Sequence, residues 1–539
     1  MVGVMGCRSR RGVAVLLAVG VGLLGMTLPA FAASDTTCLP DSICPAWTAR
    51  YDESSLYDHA VDVATSADGS RVYVVGSSTS TQGASDIVTI AYASDTGAEL
   101  WSARYDGPAQ GADTAAALGL SADGSTVFVT GHSAQGGGIN SYVTLAYRAL
   151  DGARSWVTRY TTPQDSKAVS IAVSRDGQRA YVTGYSALEL APNGALQYDF
   201  ATVAYDAATG AQIWDARYDG PARFWDIATS LGVSTVRLPD GSTREQVFAT
   251  GRSNGASASN VAADFATVAY DGLTGTQVWA ARYNGPANDR DLAYSLGVSP
   301  DGAAVFVTGE SVGVGTGSDY ATVAYDAATG AQRWVARYVN VDLDIALGLA
   351  VSPAGDKVAV TGFSVNRVAG FGIAFVRDAA TVVYDSLSGQ QAWVDRHSEP
   401  DGAATSNVQF SGDGRRLYVA GIQNGNVIAA GATQVGHAPA LTVAYDAAGG
   451  TEIWATHYSG PVGDEGNSAV AVSPDGRFVY VVGGGQSQGA DAVTIAYPTG
   501  EGDPAPVVPE APAVVLLPLA ALGALGVWMR RRRVCASPV

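Results

Sequence analysis

The chain has 539 residues, of which 32 are basic and 50 acidic, for a net charge of −18. Seven of the basic residues sit at the two ends, in stretches without acids, so the body between them carries 25 basic against 50 acidic residues. Such a surplus repels nucleic acid and anionic lipid and favours solubility outside the cell, which excludes both as partners of the body.

The first predicted element is an export signal over residues 1–32. Arg8, Arg10 and Arg11 precede an apolar run from Gly12 to Leu28, and Ala30-Phe31-Ala32 supplies the small residues a signal peptidase needs. A lipoprotein signal is not expected, because Cys7 lies before the apolar run and Cys38 follows Asp35-Thr36-Thr37. Residues 33–46 form an N-terminal segment. Cys7 leaves with the signal and Cys535 lies in the tail, so Cys38 and Cys44 remain to close a small disulfide loop in an oxidising compartment.

From residue 47 to 497 the chain is repetitive. Tryptophan recurs at Trp47, Trp101, Trp156, Trp214, Trp279, Trp334, Trp393 and Trp454, each opening a segment like Trp334-Val-Ala-Arg-Tyr338. One unit reads Trp279-Ala-Ala-Arg-Tyr-Asn-Gly-Pro, Leu296-Gly-Val-Ser-Pro-Asp-Gly302, Val305-Phe-Val-Thr-Gly309 and Tyr320-Ala-Thr-Val-Ala-Tyr325. These are four short β-rich runs, and Asp301-Gly302 and Thr329-Gly330 supply the positive φ of tight hairpins. Eight such units with hardly any helical periodicity predict an all-β fold, an eight-bladed β-propeller of four-stranded blades. The array begins with a lone strand at 47–51 and lacks one after 491–497. The expected solution is that the first strand completes the last blade and removes two exposed sheet edges.

The segment Ala204-Tyr-Asp-Ala-Ala-Thr-Gly-Ala-Gln-Ile-Trp214 resembles the tryptophan-docking motif of quinoprotein (PQQ-like) propellers, and it recurs at Ala269–Trp279 and Ala324–Trp334. The fuller pattern, Asp319-Tyr-Ala-Thr with Tyr-Asp, Trp, Arg-Tyr and Asn-Gly-Pro, is similar to the bacterial SBBP β-propeller repeat. The resemblance implies that the eight tryptophans pack between blades as structural residues.

After the repeats, a proline-rich linker spans 498–512 and an apolar run spans 513–529, ending at Arg530-Arg531-Arg532-Arg533 in a basic tail, 530–539. At ~1.5 Å per residue the run reaches about 26 Å, short of a ~30 Å hydrocarbon core by an amount snorkelling arginines can make up. The arginines place the tail inside and the body outside. Val508-Pro509-Glu510, the apolar run and the arginine cluster resemble a PEP-CTERM sorting signal, although the second proline, in Ala511-Pro512, falls one place late. The resemblance implies sorting and cleavage; a retained transmembrane anchor is the alternative.

Few residues invite catalysis. Gly309-Glu-Ser311-Val-Gly313 and Gly251-Arg-Ser253-Asn-Gly255 match the nucleophile-elbow pattern, yet their serines share a repeat position with Ser133, Ser186 and Ser364 and no helix is predicted to follow. Of His59, His132, His397, His437 and His457, none has ligand-like spacing to another, and His397 and His457 replace a repeat tyrosine and arginine, so no metal site is expected from them. No adjacent cysteine pair accompanies the docking motif, so no quinone-binding or catalytic residue is assigned.

Two aspartate series recur. One enters the first strand of each unit (Asp58, Asp113, Asp226, Asp291, Asp344, Asp464), and one opens the third (Asp86, Asp199, Asp264, Asp319, Asp378, Asp491). They are read as turn caps, with calcium binding as the lesser alternative. The connections between second and third strands vary most: Ala187 to Tyr198, Asn254 to Ala263, Val365 to Arg377 and Gln423 to Pro439. The opposite turns barely change. The expectation is a non-enzymatic binding or scaffold module at the cell surface or envelope, meeting a protein or glycan on a loop-rich, acidic face. A quinoprotein-type oxidoreductase and a surface-layer component are the alternatives.

Overall fold

A computed structural model describes residues 43–500, except 53–55, 81–82, 191–193, 223, 256–262, 341–342, 369–373, 401, 424–438, 461–465 and 485–490. The expected signal, Cys38, Asp464, His437, the apolar run at 513–529 and the basic tail lie outside these residues. Cys44 is disulfide-bonded. Among the described residues no helix is long and apolar enough to cross a membrane.

The repeat pattern of short apolar runs resolves into burial on both sides of the middle strands. In the fifth unit the second strand, Ala304–Gly313, and the third, Gly317–Asp326, are buried almost throughout. The first, Asp291–Val298, and the fourth, Gln332–Tyr338, bury alternate parts. That contrast is what a sheet sandwiched between two others requires of its central strands. The described residues form eight four-stranded antiparallel sheets. Their first strands pack against one another in an unbroken ring, so the blades surround a common axis. The expected closure is present: Trp47–Tyr51 is the outer strand of the eighth sheet, with Trp47 opposite Ala496 and Tyr51 opposite Ala492.

Tryptophan and glycine fix the spacing between blades. Trp279 is 8 % exposed, and its Nε1 donates to Ala327 O of the next blade at 2.9 Å. Its ring lies over Gly330, where φ is +73° and a Cβ would stand 2.6 Å from the indole. Both the conformation and the contact therefore require glycine. The same donation occurs from Trp47, Trp101, Trp156, Trp214, Trp334 and Trp393. Trp454 differs: it is half-buried and its Nε1 has no hydrogen-bond partner among the described residues, and the blade it packs against ends in Pro498-Thr499-Gly500 instead of a hairpin turn.

A second glycine, that of the Val-Thr-Gly run, sits opposite a bulge in the first strand. At Gly309 a Cβ would lie 1.9 Å from Leu292 O, and the pairing shifts register between Ala293 and Ser295. Two buried threonines meet across the same sheet, Thr308 Oγ1 to Thr322 Oγ1 at 3.0 Å, and Thr308 Oγ1 also donates to Ala321 O at 3.1 Å.

Candidate functional site: the loop-rich face

At one end of the blades the turns are nearly identical. Ser299 Oγ donates to Asp301 Oδ1 at 2.6 Å, Asp301 accepts from Ala303 N, and Ala304 N donates back to Ser299 Oγ. In the first blade the same arrangement, Ser66 with Asp68 and Ser70, holds the Asp68 carboxyl down at about 2. One turn departs from the expected uniformity. In the fourth blade the first two strands run on to Arg237 and Thr243, and this hairpin lies down on the fifth blade. Val236 is buried there, Thr235 O stands 2.3 Å from where a Cβ on Gly302 would be, and Arg237 to Pro239 wall a shallow depression of about 540 Å³ with Asp326 to Arg333.

The other end carries both aspartate series and is built on arginine. Arg337 Nη2 donates to Asp319 Oδ2 at 2.7 Å and to Ser311 O at 2.8 Å, and its Nη1 donates to Ser311 Oγ and to Tyr283 OH of the preceding blade. Arg104 with Asp86, Arg217 with Asp199, Arg282 with Asp264, Arg396 with Asp378 and Arg50 with Asp491 repeat the pair. The inner series caps the incoming loop: Asp291 accepts from Gly285 N and Asp226 from Gly220 N, each at 2.7 Å. Burial pushes the carboxyls of Asp226 and Asp291 up to about 6.

These contacts correct one expectation. Both series lie on the loop-rich face, but Asp58, Asp113, Asp226, Asp291 and Asp344 are no more than 1 % exposed and the outer series is neutralised by arginine, so neither supplies an acidic docking surface. Calcium fits poorly as well. Carboxylate oxygens of Asp86, Asp106 and Asp113, and of Asp199, Asp219 and Asp226, converge within 4.8 Å, yet Arg104 Nε is 2.6 Å from Asp86 and Arg217 Nη2 is 2.9 Å from Asp199. A guanidinium already supplies the counter-charge.

The serines of the elbow-like sequences belong to this framework. Ser253 and Ser311 are wholly buried and hold Arg282 and Arg337 through their hydroxyls, and the strand continues past each of them. Neither is presented to a substrate.

What varies within the framework is the residue between the strand-end glycine and this serine. It is Ser77, His132, Tyr185, Arg252, Glu310 and Phe363 in the first six blades. Comparing the repeats column by column exposes this position, which repeat recognition alone passes over. Around it, blades three to five form a patch. Tyr185 meets Tyr198 edge to face at 5.1 Å, Trp225 donates from Nε1 to Leu196 O at 2.8 Å, and the Arg252 guanidinium lies 5.9 Å from the Trp225 ring centre. Phe224 stacks on Trp225 at 5.4 Å. Burial lowers the Arg252 pKa, with Tyr185 and Tyr294 among the groups it feels. Trp225 is the one tryptophan between residues 47 and 497 that lies outside the repeat position, a signal available in the sequence.

The connections expected as long loops are partly strand. In the third blade pairing runs on to Leu190 opposite Leu196, and in the sixth to Val368 opposite Ala374. Leu188 and Leu190, on the third-blade hairpin beside the aromatic patch, are 46 % and 49 % exposed. Leu150, Leu273 and Leu387 are also exposed, but singly, one to a turn at the opposite end. Residues 256–262 and 424–438 of the other long connections lie outside the described residues. Two of the histidines, which show no ligand-like spacing in the sequence, do come together: His397 and His457, from consecutive fourth strands, meet at Glu399.

The sequence matches the family model described as outer membrane protein assembly factor BamB over residues 45–264 and 199–482. The chain belongs to this family. The BamB family match agrees with the PQQ-like character of the docking motif. No curated protein matches the sequence. Among solved structures, Sqt1 from Saccharomyces cerevisiae is similar with 10 % identity and a TM-score of 0.52, covering 84 % of this chain and 98 % of that one. BamB from Moraxella catarrhalis shares 15 % identity at a TM-score of 0.44, covering 84 % and 99 %. A quinohemoprotein alcohol dehydrogenase from Comamonas testosteroni shares 13 % at 0.38, covering 86 % and 77 %. At these identities what is shared is the fold.

Proposed function

We propose that this BamB-family propeller is a non-enzymatic, extracytoplasmic module that binds a protein partner on the loop-rich face at blades three to five. The observation that carries the reading is the patch of Tyr185, Tyr198, Trp225 and Arg252 beside the exposed Leu188 and Leu190. Aromatic and arginine side chains held by a rigid sheet, next to apolar side chains without a cover, are the composition of a protein-binding hot spot. Burial of the elbow-like serines by arginine supports the absence of acyl-transfer chemistry. Membership of a family described as an outer membrane assembly factor supports an envelope setting.

Export through residues 1–32, a Cys38–Cys44 disulfide, anchoring or sorting through 513–529, and SBBP-type ancestry of the repeats complete the proposal. Mass spectrometry of the mature protein tests the processing: an N-terminus near Ala33 agrees, and a retained signal contradicts it. For binding, immobilised protein is challenged with an envelope extract beside a variant in which residues 188–197 are replaced by Asn-Gly and Trp225 by alanine. A partner retained by the wild type and lost by the folded variant supports the reading; equal capture by both contradicts it.

A further inference from the structure

At regular blade junctions the arginine of one fourth strand donates to the tyrosine that ends the fourth strand before it, as Arg337 does to Tyr283 and Arg159 to Tyr105. Between blades six and seven both members are replaced. His397 stands for the tyrosine and His457 for the arginine, and Glu399, from the connecting segment, lies between them. His397 Nε2 is 2.8 Å and His457 Nε2 is 3.1 Å from the same Glu399 Oε1. The other ring nitrogen of His397, Nδ1, is 2.9 Å from Glu452 Oε2.

We propose that His397, Glu399 and His457 bind a divalent transition metal of the zinc class, with Glu452 as the carboxylate that orients His397. Two imidazoles and a carboxylate are the donors such an ion takes when one coordination position stays open. Bonds of about 2.0–2.2 Å to a tetrahedral ion place neighbouring ligand atoms a little over 3 Å apart, close to the separations here. A metal-bound histidine characteristically gives its second nitrogen to a carboxylate, and Glu452 occupies that place. His397 and Glu399 side chains are 11 % and 15 % exposed while His457 is 31 % exposed, so the open position faces solvent and is available to water or to a side chain from outside. Among the described residues, the charged groups in contact with one another at this junction are His397, Glu399, Glu452 and His457. This site is independent of the partner-binding reading.

The test is calorimetric titration of the full chain, untagged and stripped with chelator, with Zn²⁺, together with the visible spectrum of the Co²⁺ form. The wild type is expected to take one equivalent with a four-coordinate Co²⁺ spectrum and a rise in Tm that chelator reverses. The double variant H397Y/H457R restores the pair found at other junctions and is expected to fold and lose that equivalent. E452Q is expected to bind about 10- to 100-fold more weakly. No saturable equivalent in the wild type overturns the proposal, and so does unchanged affinity in H397Y/H457R. Should that variant unfold, loss or retention of the Co²⁺ spectrum in E399Q decides the matter in the same way.

Discussion

The two ends of the blades use insertions in opposite ways. Where the fourth blade lengthens its turn, at Arg237–Thr243, the extra hairpin lies on its neighbour and buries Val236. Where the third blade lengthens its connection, at Ala187–Tyr198, the extra hairpin leaves Leu188 and Leu190 about half exposed. The first insertion spends its apolar residues on the ring itself. The second leaves them open to solvent, and on the proposed reading that difference, more than loop length, separates structural from recognition surface.

The largest expected effect tests the structural side. Trp279→Ala removes a buried indole and its bond to Ala327 and is expected to cost about 3–5 kcal/mol in chemical denaturation. Trp454→Ala, at the closing seam without an acceptor, is expected to cost less; an equal cost would mean that the eighth blade is sealed as firmly as the others. Next, Arg337→Ala strands Asp319, which is 1 % exposed, and is expected to cost about 3 kcal/mol. A neutral outcome would return the loop-end arginines from framework to surface.

A third effect depends on pH. Asp226 and Asp291 stand at about 6 in the folded ring against an ordinary 3.8, so the fold holds protons there that the unfolded chain has released. Their contribution to stability is full below about pH 4 and is lost as pH rises through about 6. D226N and D291N each escape that loss and should gain on the wild type between pH 4 and 7 by a margin on the order of 3 kcal/mol per site at most. A difference in stability that stays flat across that window contradicts the burial argument. The smallest effect belongs to the recognition side: replacing residues 188–197 by Asn-Gly should shift stability by less than about 0.5 kcal/mol.

The ring was legible before the structure because its determinants are local and repeated: the tryptophan, the Thr-Gly and Asp-Gly turns, and the orphan strand at 47–51. The site was legible only in outline. Aspartates spaced a repeat apart read as turn caps on an acidic face; the caps need only local backbone, whereas the burial of the inner series and the neutralisation of the outer one by arginines from the fourth strand show only in the folded ring. His397 and His457 read as lone substitutions, since nothing in their spacing says that consecutive fourth strands bring those two repeat positions together. Likewise Ala187 to Tyr198 reads as a loop, although the pairing that extends it is visible only once the second and third strands are in register.

The central claim, that a partner meets the loop-rich face at blades three to five, is tested most directly by site-specific photo-crosslinking in an envelope extract. A photoreactive residue is placed at Leu190, or at Leu273 on a turn at the opposite end, where the exposure is 57 %. Adducts of one defined mass from position 190 and none from position 273 are the predicted result. Adducts from position 273 with none from position 190 would put the binding surface on the other face and contradict the account.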